Sequence, residues 1–594
     1  MNTQLAWFIL LVVCAALFAY LFFRSVPEQA DVLYVNGRIY TMDANKSVAE
    51  ALAIRGGRIV AVGSRNELGK RIQANDTIDL GGKTVFPGFT DAHAHLMSLG
   101  ISLLTVDLVG IQTEAQAAFL VAERVKKSES ARWVRGRGWD QNLWTSKRFP
   151  THEILDRVSP DNPVYLVRVD GHAAWVNKRA MEIAGISSHT SDTAGGKIVR
   201  DVSGNPTGVF VDNAMTLVSR FLPPPSVKET EDAISLAVQE CLKHGLTGMH
   251  DMGVDKKEIE VYKGLIDKKE FPFRVYVSID GAGETWDEFI GKDSSRPAIG
   301  PIIGYGDNRL WVRSVKLYVD GALGSRGAAL LESYSDDPSN RGLTVTDEAS
   351  LRKTVDEALV NGFQVCTHAI GDRANNIILN VYEAALKAHP GADRRLRIEH
   401  AQVLSLNDIP RFKQLGIVPS MQPTHCTSDM HWAGARLGPT RVRGAYAWRS
   451  LLNTGVTLPG GSDFPVEKPN PLLGIYAAVT RRDLQGRPRN AQEVKAFFEL
   501  SAEGIGDTTD FENGWYASQR MTRDEAIQSF TNWAAFAGFQ EQLLGSLEKG
   551  KLADFVVLSR DLMKIPAEDI PTTLVEKTIV GGKEVYVRNQ DAQK

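Results

Sequence analysis

The middle of the chain alternates short apolar stretches with helical ones, and that alternation restricts the fold more than any other feature. Strand candidates are Gly248–Asp251, Phe273–Ile279, Val312–Val319, Phe363–Thr367, Leu396–Glu399, Ile417–Met421 and Val456–Leu458. Helical stretches such as Glu229–Lys243, Glu348–Val360 and Ile377–Ala388 lie between several of them. Apolar strands separated by helices are buried on both faces when the strands run parallel and the helices cover them. A further strand before Asp91 brings the set to the number that closes a (β/α)8 TIM barrel, so an α/β fold of that kind is expected. With 594 residues, 43% of them hydrophobic, the chain is long enough for such a core and too apolar for wholesale disorder.

Both ends have a different texture. Val32–Val62 alternates like strands, with a hairpin signal at Asn36-Gly37 and a second at Gly56-Gly57. Short strands return at Asp554–Leu558, Thr578–Val580 and Glu584–Val587, with Gly581-Gly582-Lys583 as a tight turn. One small β-domain assembled from both ends is expected. The stretch from about Gly100 to Glu240 exceeds any one barrel helix and carries WVRGRGW and PVYLVRVD, which predicts an insertion beside the barrel mouth. At the start, Leu5–Phe23 is an uncharged run that as a helix would cross about 30 Å of hydrocarbon. Trp7 and Tyr20 stand near its ends, Met1–Gln4 carries no Lys or Arg, and Glu28-Gln29-Ala30 is a poor cleavage match. An uncleaved, single-pass membrane anchor is therefore expected.

A net charge of −3 leaves no electrostatic footprint for nucleic acid. Cys14, Cys241, Cys366 and Cys426 are scattered, without the spacing of a disulfide framework.

The chemistry concentrates at strand ends. His93 and His95, in PGFTDAHAH, stand at i and i+2 of a strand, so both imidazoles share a face and can reach one metal ion. Lys316 interrupts the otherwise apolar strand VRSVKLYV, where an unpaired lysine is rare. His368 closes one strand, His400 closes another, and Asp463 follows the small-residue turn after Val456–Leu458. Taken singly, each is more often a satisfied polar residue than a ligand. Taken together, they occupy the C-terminal ends of strands one, four, five, six and eight, the face where barrel enzymes hold their reactive groups.

The motifs PGFTDAHAH, GLTGMHDMG, VKLYVDGALGSRGA, THAIGDRA, RIEHAQ, GGSDFPV and GSLEKGKLADFVVL, with the tract from Pro163 through His172 to Asn177, carry a specific resemblance. From Val32 to Val587 the sequence is similar to the amidohydrolase superfamily, in the branch called amidohydrolase family 3, whose members resemble N-substituted formamide deformylases. The resemblance implies a barrel with a β-sandwich built from both chain ends. With the anchor read from the apolar run, the expected division is 1–27 anchor, 28–86 first part of the sandwich, 87–544 barrel with its insertion at about 100–240, and 545–594 second part.

It also implies a site. His93, His95 and Asp463 would hold a buried ion, His368 and His400 a more exposed one, and Lys316, carboxylated on its amine, would bridge the two. Carboxylation needs a neutral amine, which an apolar strand favours. Nitrogen and oxygen ligands without thiolates favour zinc as the two divalent ions, ahead of manganese, iron or cobalt. The implied reaction is hydrolysis of a non-peptide C–N, amide-type bond by a metal-bound hydroxide, with Asp463 as general base and then acid. His172 is the candidate for polarising the carbonyl or holding the substrate, and Asp140, Trp144 and Arg326 for lining the pocket. The expected partners are a small-molecule amide substrate, the membrane through the N-terminal helix and a second copy of the chain as a homodimer.

Two alternatives remain open at this level. One is a deaminase or cyclic-amide hydrolase with a single ion, against which Lys316 argues. The other is a non-catalytic regulatory protein that retains the fold. His152, His189, His244 and His389 read as solvated, His250 and Asp251 as supporting partners, and His425 and His431 as loop residues or substrate contacts. Gly82-Lys83-Thr84 lacks the first glycine of a P-loop, and no G-x-S-x-G motif occurs.

Overall fold

A computed structural model describes residue 7 and residues 27–589, except 147, 169–172, 194–195, 224–225, 293–294, 325, 392 and 498–507. The chain divides into two compact units. One runs to His95 and resumes at Val238, and the other is Leu96–Ala237.

The first unit contains the barrel. Its parallel strands follow the order Phe89–Ala94, Leu246–Val254, Arg274–Asp280, Leu310–Tyr318, Gln364–Ala369, Arg397–His400 and Val418–Ser420. Each is largely buried, as strands covered on both faces must be. Amphipathic helices such as Glu348–Val360 and Asp372–Ala388 turn one apolar face inward. The eighth place is not filled by a strand at Val456–Leu458. The chain there joins no ladder, and closure falls to the residues just beyond. Met421 bridges Gly460 in parallel, the Met421 N–H donates to Pro459 O and the Ala92 N–H donates to Gly460 O. Gly461 explains the close approach, because a Cβ there would lie 2.7 Å from the His93 backbone nitrogen.

Strands from both ends of the chain form two sheets of the same unit. One has the order Arg58–Gly63, Ala51–Arg55, Glu28–Val35, Ile72–Asp79. The other has the order Lys583–Val587, Val575–Val580, Phe555–Leu558, Thr84–Pro87, Arg38–Tyr40, Val48–Ala49. Tyr34, Leu52 and Ile54 of the first share one core with Ile39, Val85, Phe555 and Ile579 of the second, so the sheets form a sandwich. The Gly56-Gly57 and Gly581-Gly582 turns close antiparallel hairpins. Asn36-Gly37 does not: the strand before it pairs in the first sheet and the strand after it in the second. The turn carries the chain across the sandwich instead of folding it back.

The second unit, Leu96–Ala237, is built on a mixed sheet of order Gly196–Arg200, Pro206–Asp212, Ala173–Val176, Val164–Arg168, Val134–Trp139, Val106–Asp107. Trp139, Trp144 and Trp175 fill its core with edge-on and tilted ring contacts.

The expected transmembrane helix and membrane location are corrected. Among the described residues no helix is long and apolar enough to cross a membrane. The longest, Pro423–Arg441, contains Asp429, Arg436 and Arg441 and is interrupted at Gly438-Pro439, whereas a span needs about 20 predominantly apolar residues. The run Leu5–Phe23 lies outside the described residues apart from Trp7.

Candidate metal centre

The C-terminal end of the barrel gathers histidines and carboxylates from several strands. His93 ends the inward face of the first strand and His95 follows it. Both are locked to the closing segment, because the Asp463 N–H donates to His93 O at 2.7 Å and the His95 N–H to Phe464 O at 2.9 Å. The result sets Asp463 Oδ1 3.2 Å from His95 Nε2 and 3.6 Å from His93 Nε2. Lys316, from the fourth strand, lies with Nζ 3.3 Å from His93 Nε2.

His400 arrives by a local departure from strand geometry. In Arg397-Ile398-Glu399-His400, the period of two puts Arg397 and Glu399 on one face and His400 on the other. His400 and Ala401 adopt left-handed backbone, with φ of 72° and 43°, and the alternation ends there. The His400 ring thereby stands 4.7 Å from that of His93 and 4.6 Å from that of His368. Asp463 is left-handed as well, at φ 60°. Such strain in non-glycine residues concentrates where surrounding structure holds a functional geometry.

The second nitrogen of each imidazole is committed. His93 Nδ1–H donates to Glu399 at 2.6 Å, His95 Nδ1–H to Met252 O at 2.9 Å, and His400 Nδ1–H to Gln422 Oε1 at 2.8 Å. These acceptors fix the tautomers, so the Nε2 atoms carry lone pairs. Glu399 is itself gripped by Arg397 through two bonds, at 2.8 and 3.0 Å, and Arg397 also donates to His250 Nδ1, Ala92 O and Ser420 Oγ. Burial works to raise the Glu399 carboxyl, but Arg397 and then His93 hold it below the ordinary range. Burial likewise favours raising Asp463, yet His95, His93 and His425 keep it low.

Three of these imidazoles, His93, His368 and His400, are held toward the neutral form. Burial, reinforced by Lys316, pushes His93 down to about 4 and His368 to about 3, and burial drives His400 well below its usual value. Lys316 is lowered by its own burial, in the direction of a neutral amine. Behind the cluster, Asp91 accepts from the His93 and Ser462 backbones and the Ser462 hydroxyl, and burial raises it to about 7.

Such a donor set fits a cation. The Nε2 atoms of His93 and His95 lie against the Asp463 carboxylate, and the buried Nε2 atoms of His368 and His425 find no hydrogen-bond partner among the described residues. His93, His95 and Asp463 form one group that could hold an ion, and His400, His425 and Asp463 another. Every ligand atom is nitrogen or oxygen, the set that suits zinc and other borderline or hard divalent metals.

Other candidate residues have partners of their own. His368 is adjacent through its ring, but its Nε2 lies 3.6 Å from Asp320 Oδ1. Arg326 is ion-paired with Asp336 at 2.9 Å. Asp140 and Trp144 belong to the second unit, where Asp140 pairs with Arg168 at 2.7 Å and Trp144 is buried in the tryptophan core, its indole donating to Ile111 O. His172 lies outside the described residues. His152, His244 and His389 pair locally with Asp156, Glu240 and Asp356. Sequence reasoning overlooked Glu399, although two charged residues at i and i+2 of a buried strand were a signal for it. His425 stands on the first turn of the helix Pro423–Arg441, with Nε2 3.7 Å from Asp463 Oδ2.

Fold and site together define a barrel hydrolase of the metal-dependent class. Residues 76–586 match the Amidohydrolase family, and the chain belongs to that family. It is 36% identical to Protein LONG AFTER FAR-RED 3 of Arabidopsis thaliana, over 94% of this chain and 92% of that one. It is 27% identical to the N-substituted formamide deformylase of Arthrobacter pascens, over 95% and 99%. A crystal structure of an uncharacterized metal-dependent hydrolase from Pyrococcus furiosus superposes with a TM-score of 0.70 at 28% identity, covering 90% of this chain and all of that one.

Proposed function

We propose that this hydrolase uses two divalent ions, zinc first, to cleave a non-peptide C–N bond of an amide-type small molecule. The observation that carries the reading is the convergence of lone-pair nitrogens on the Asp463 carboxylate at the C-terminal end of the barrel. His93, His95 and Asp463 would hold the buried ion, His400 and His368 the other, and a carboxylated Lys316 would join them. When bound, such ions acidify water and polarise a carbonyl oxygen. Asp463 accepts a proton from the attacking water and returns it to the departing nitrogen, which leaves as an amine. Glu399 keeps the His93 tautomer, and Gln422 that of His400, so neither ring carries its proton toward the centre. The relative from Arthrobacter pascens supports a C–N bond as the target.

The test is a panel of N-formyl and N-acyl amines, with free amine and carboxylate followed by mass spectrometry after incubation with zinc-loaded protein. Release of both products supports the reading. Ammonia released from aminopurines, with the amides untouched, would replace it with the deaminase alternative.

A further inference from the structure

We propose that Tyr318 is a substrate-contacting residue whose ring gives this centre a preference for amides with a flat, aromatic group next to the C–N bond. The inference rests on the metal-dependent hydrolase reading above and adds a substrate class to it.

Tyr318 is the last residue of the fourth barrel strand, Leu310–Tyr318, and follows Lys316 at i+2. The strand period puts both side chains on one face, with Tyr318 nearer the mouth. Lys316 Nζ lies 5.1 Å from the centroid of the Tyr318 ring and 3.3 Å from His93 Nε2. On the next strand His368 is the register partner of Tyr318, and the two rings stand 5.8 Å apart at 42°. The phenol ring is therefore a direct neighbour of the cluster.

It is not sealed there. Tyr318 is 37% exposed, against 1% for Lys316 beneath it, so part of the ring is open at the barrel mouth. A tyrosine packed for stability commonly has its hydroxyl taken by a protein acceptor. Among the described residues the Tyr318 hydroxyl makes no hydrogen bond. The far end of the ring is seated by a missing side chain instead. Gly253 lies at the register shift that ends the second strand, with φ 76°, and a Cβ there would stand 3.0 Å from the Tyr318 hydroxyl. Met252, one residue earlier, accepts from His95. The bulged strand end thus holds His95 and leaves room for the phenol in consecutive residues. Held between Lys316, His368 and that strand end, the open part of the ring offers an aromatic surface to a ligand bound at the cluster.

The experiment measures, by calorimetry on the zinc-loaded full-length chain, the affinities of benzohydroxamate and acetohydroxamate, which share a metal-binding group and differ in the ring. Wild type should bind benzohydroxamate about 10-fold more tightly, the size of a good aromatic contact. Tyr318→Phe keeps the ring and should keep that preference. Tyr318→Ala should reduce it to about 2-fold or less, with zinc per chain unchanged in both variants. The kcat/KM of N-formylbenzylamine relative to N-formylmethylamine should follow the same pattern. The proposal is overturned if Y318A retains the wild-type preference, or if wild type has none. It is also overturned if Y318A loses zinc and regains the preference once reloaded, because the ring then only covers Lys316. Wild type that shows the Tyr318-dependent preference but cleaves no amide would refute the hydrolase reading and leave the contact standing. Wild type that takes up no zinc overturns both. Tyr318→Leu replaces the alanine variant if circular dichroism shows that variant unfolded.

Discussion

The two ends of the barrel bury polar groups in opposite ways. At the N-terminal end of the third strand, Arg274 meets Asp554 through bonds of 2.5 and 2.9 Å, and the rest of both groups is taken up by Asp307 O, Asn308 O and the Gly581 N–H. Each of the three guanidinium nitrogens of Arg274 faces an acceptor. At the C-terminal end, lone-pair nitrogens face a carboxylate and buried Nε2 atoms stay without partners. A buried polar group without a partner costs about 1–3 kcal/mol. Native folds tolerate several together where a ligand completes them. The difference teaches that burial of charge does not by itself mark a reaction centre. The Arg274–Asp554 pair fastens the barrel to the sandwich, and the other cluster is chemically incomplete without a cation.

Substitutions at the two ends should separate stability from chemistry. Asp463→Asn should lower amide hydrolysis by about 10²–10⁴-fold, as loss of a general base does, while thermal unfolding of the metal-free protein stays close to wild type. Asp554→Ala should do the reverse. It leaves Arg274 buried and unpaired, costs about 3–5 kcal/mol in denaturant unfolding, and leaves zinc stoichiometry of the folded fraction unchanged. Glu399→Gln lies between them, because Glu399 touches His93 but sits behind it. Zinc affinity measured by chelator competition should fall about 10–100-fold, with the fold retained.

A smaller effect comes from Glu258, on the first turn of the helix Lys256–Asp267 that follows the second strand. Burial, then Asp251 and Asp255, raises Glu258 to about 8, so the folded state holds a proton that the unfolded chain releases near 4.5. The folded state binds more protons between those values, and stability therefore falls as pH rises from about 4.5 through 8. Glu258→Gln should flatten that slope in unfolding measured across the range, and an unchanged slope would assign it to other groups.

How far the molecule could be read from its sequence depends on whether a feature is local. The barrel strands are short apolar runs between helices, and Leu310–Tyr318 or Gln364–Ala369 announce themselves. His93 and His95 share a face by strand period alone. Pairing partners are not local, so Asn36-Gly37 looked like a hairpin although its flanking strands join different sheets. The eighth strand position was misplaced because Gly460-Gly461 lets the chain close the barrel by bridges without a ladder. His425 was ambiguous because Pro423 marks a helix start but does not tell that the first turn swings toward Asp463. His400 joined the cluster through left-handed backbone at a histidine, which strand periodicity does not foresee.

The most direct test of the claim that the C-terminal cluster is a metal centre is the metal and carbamate content of the protein purified without chelators. Elemental analysis counts ions per chain, and native mass spectrometry looks for an added carboxylate on Lys316. The account predicts about two divalent ions and a carboxylated lysine, in keeping with bridged two-metal sites. Protein that binds no ion even after reconstitution with zinc and bicarbonate would contradict it.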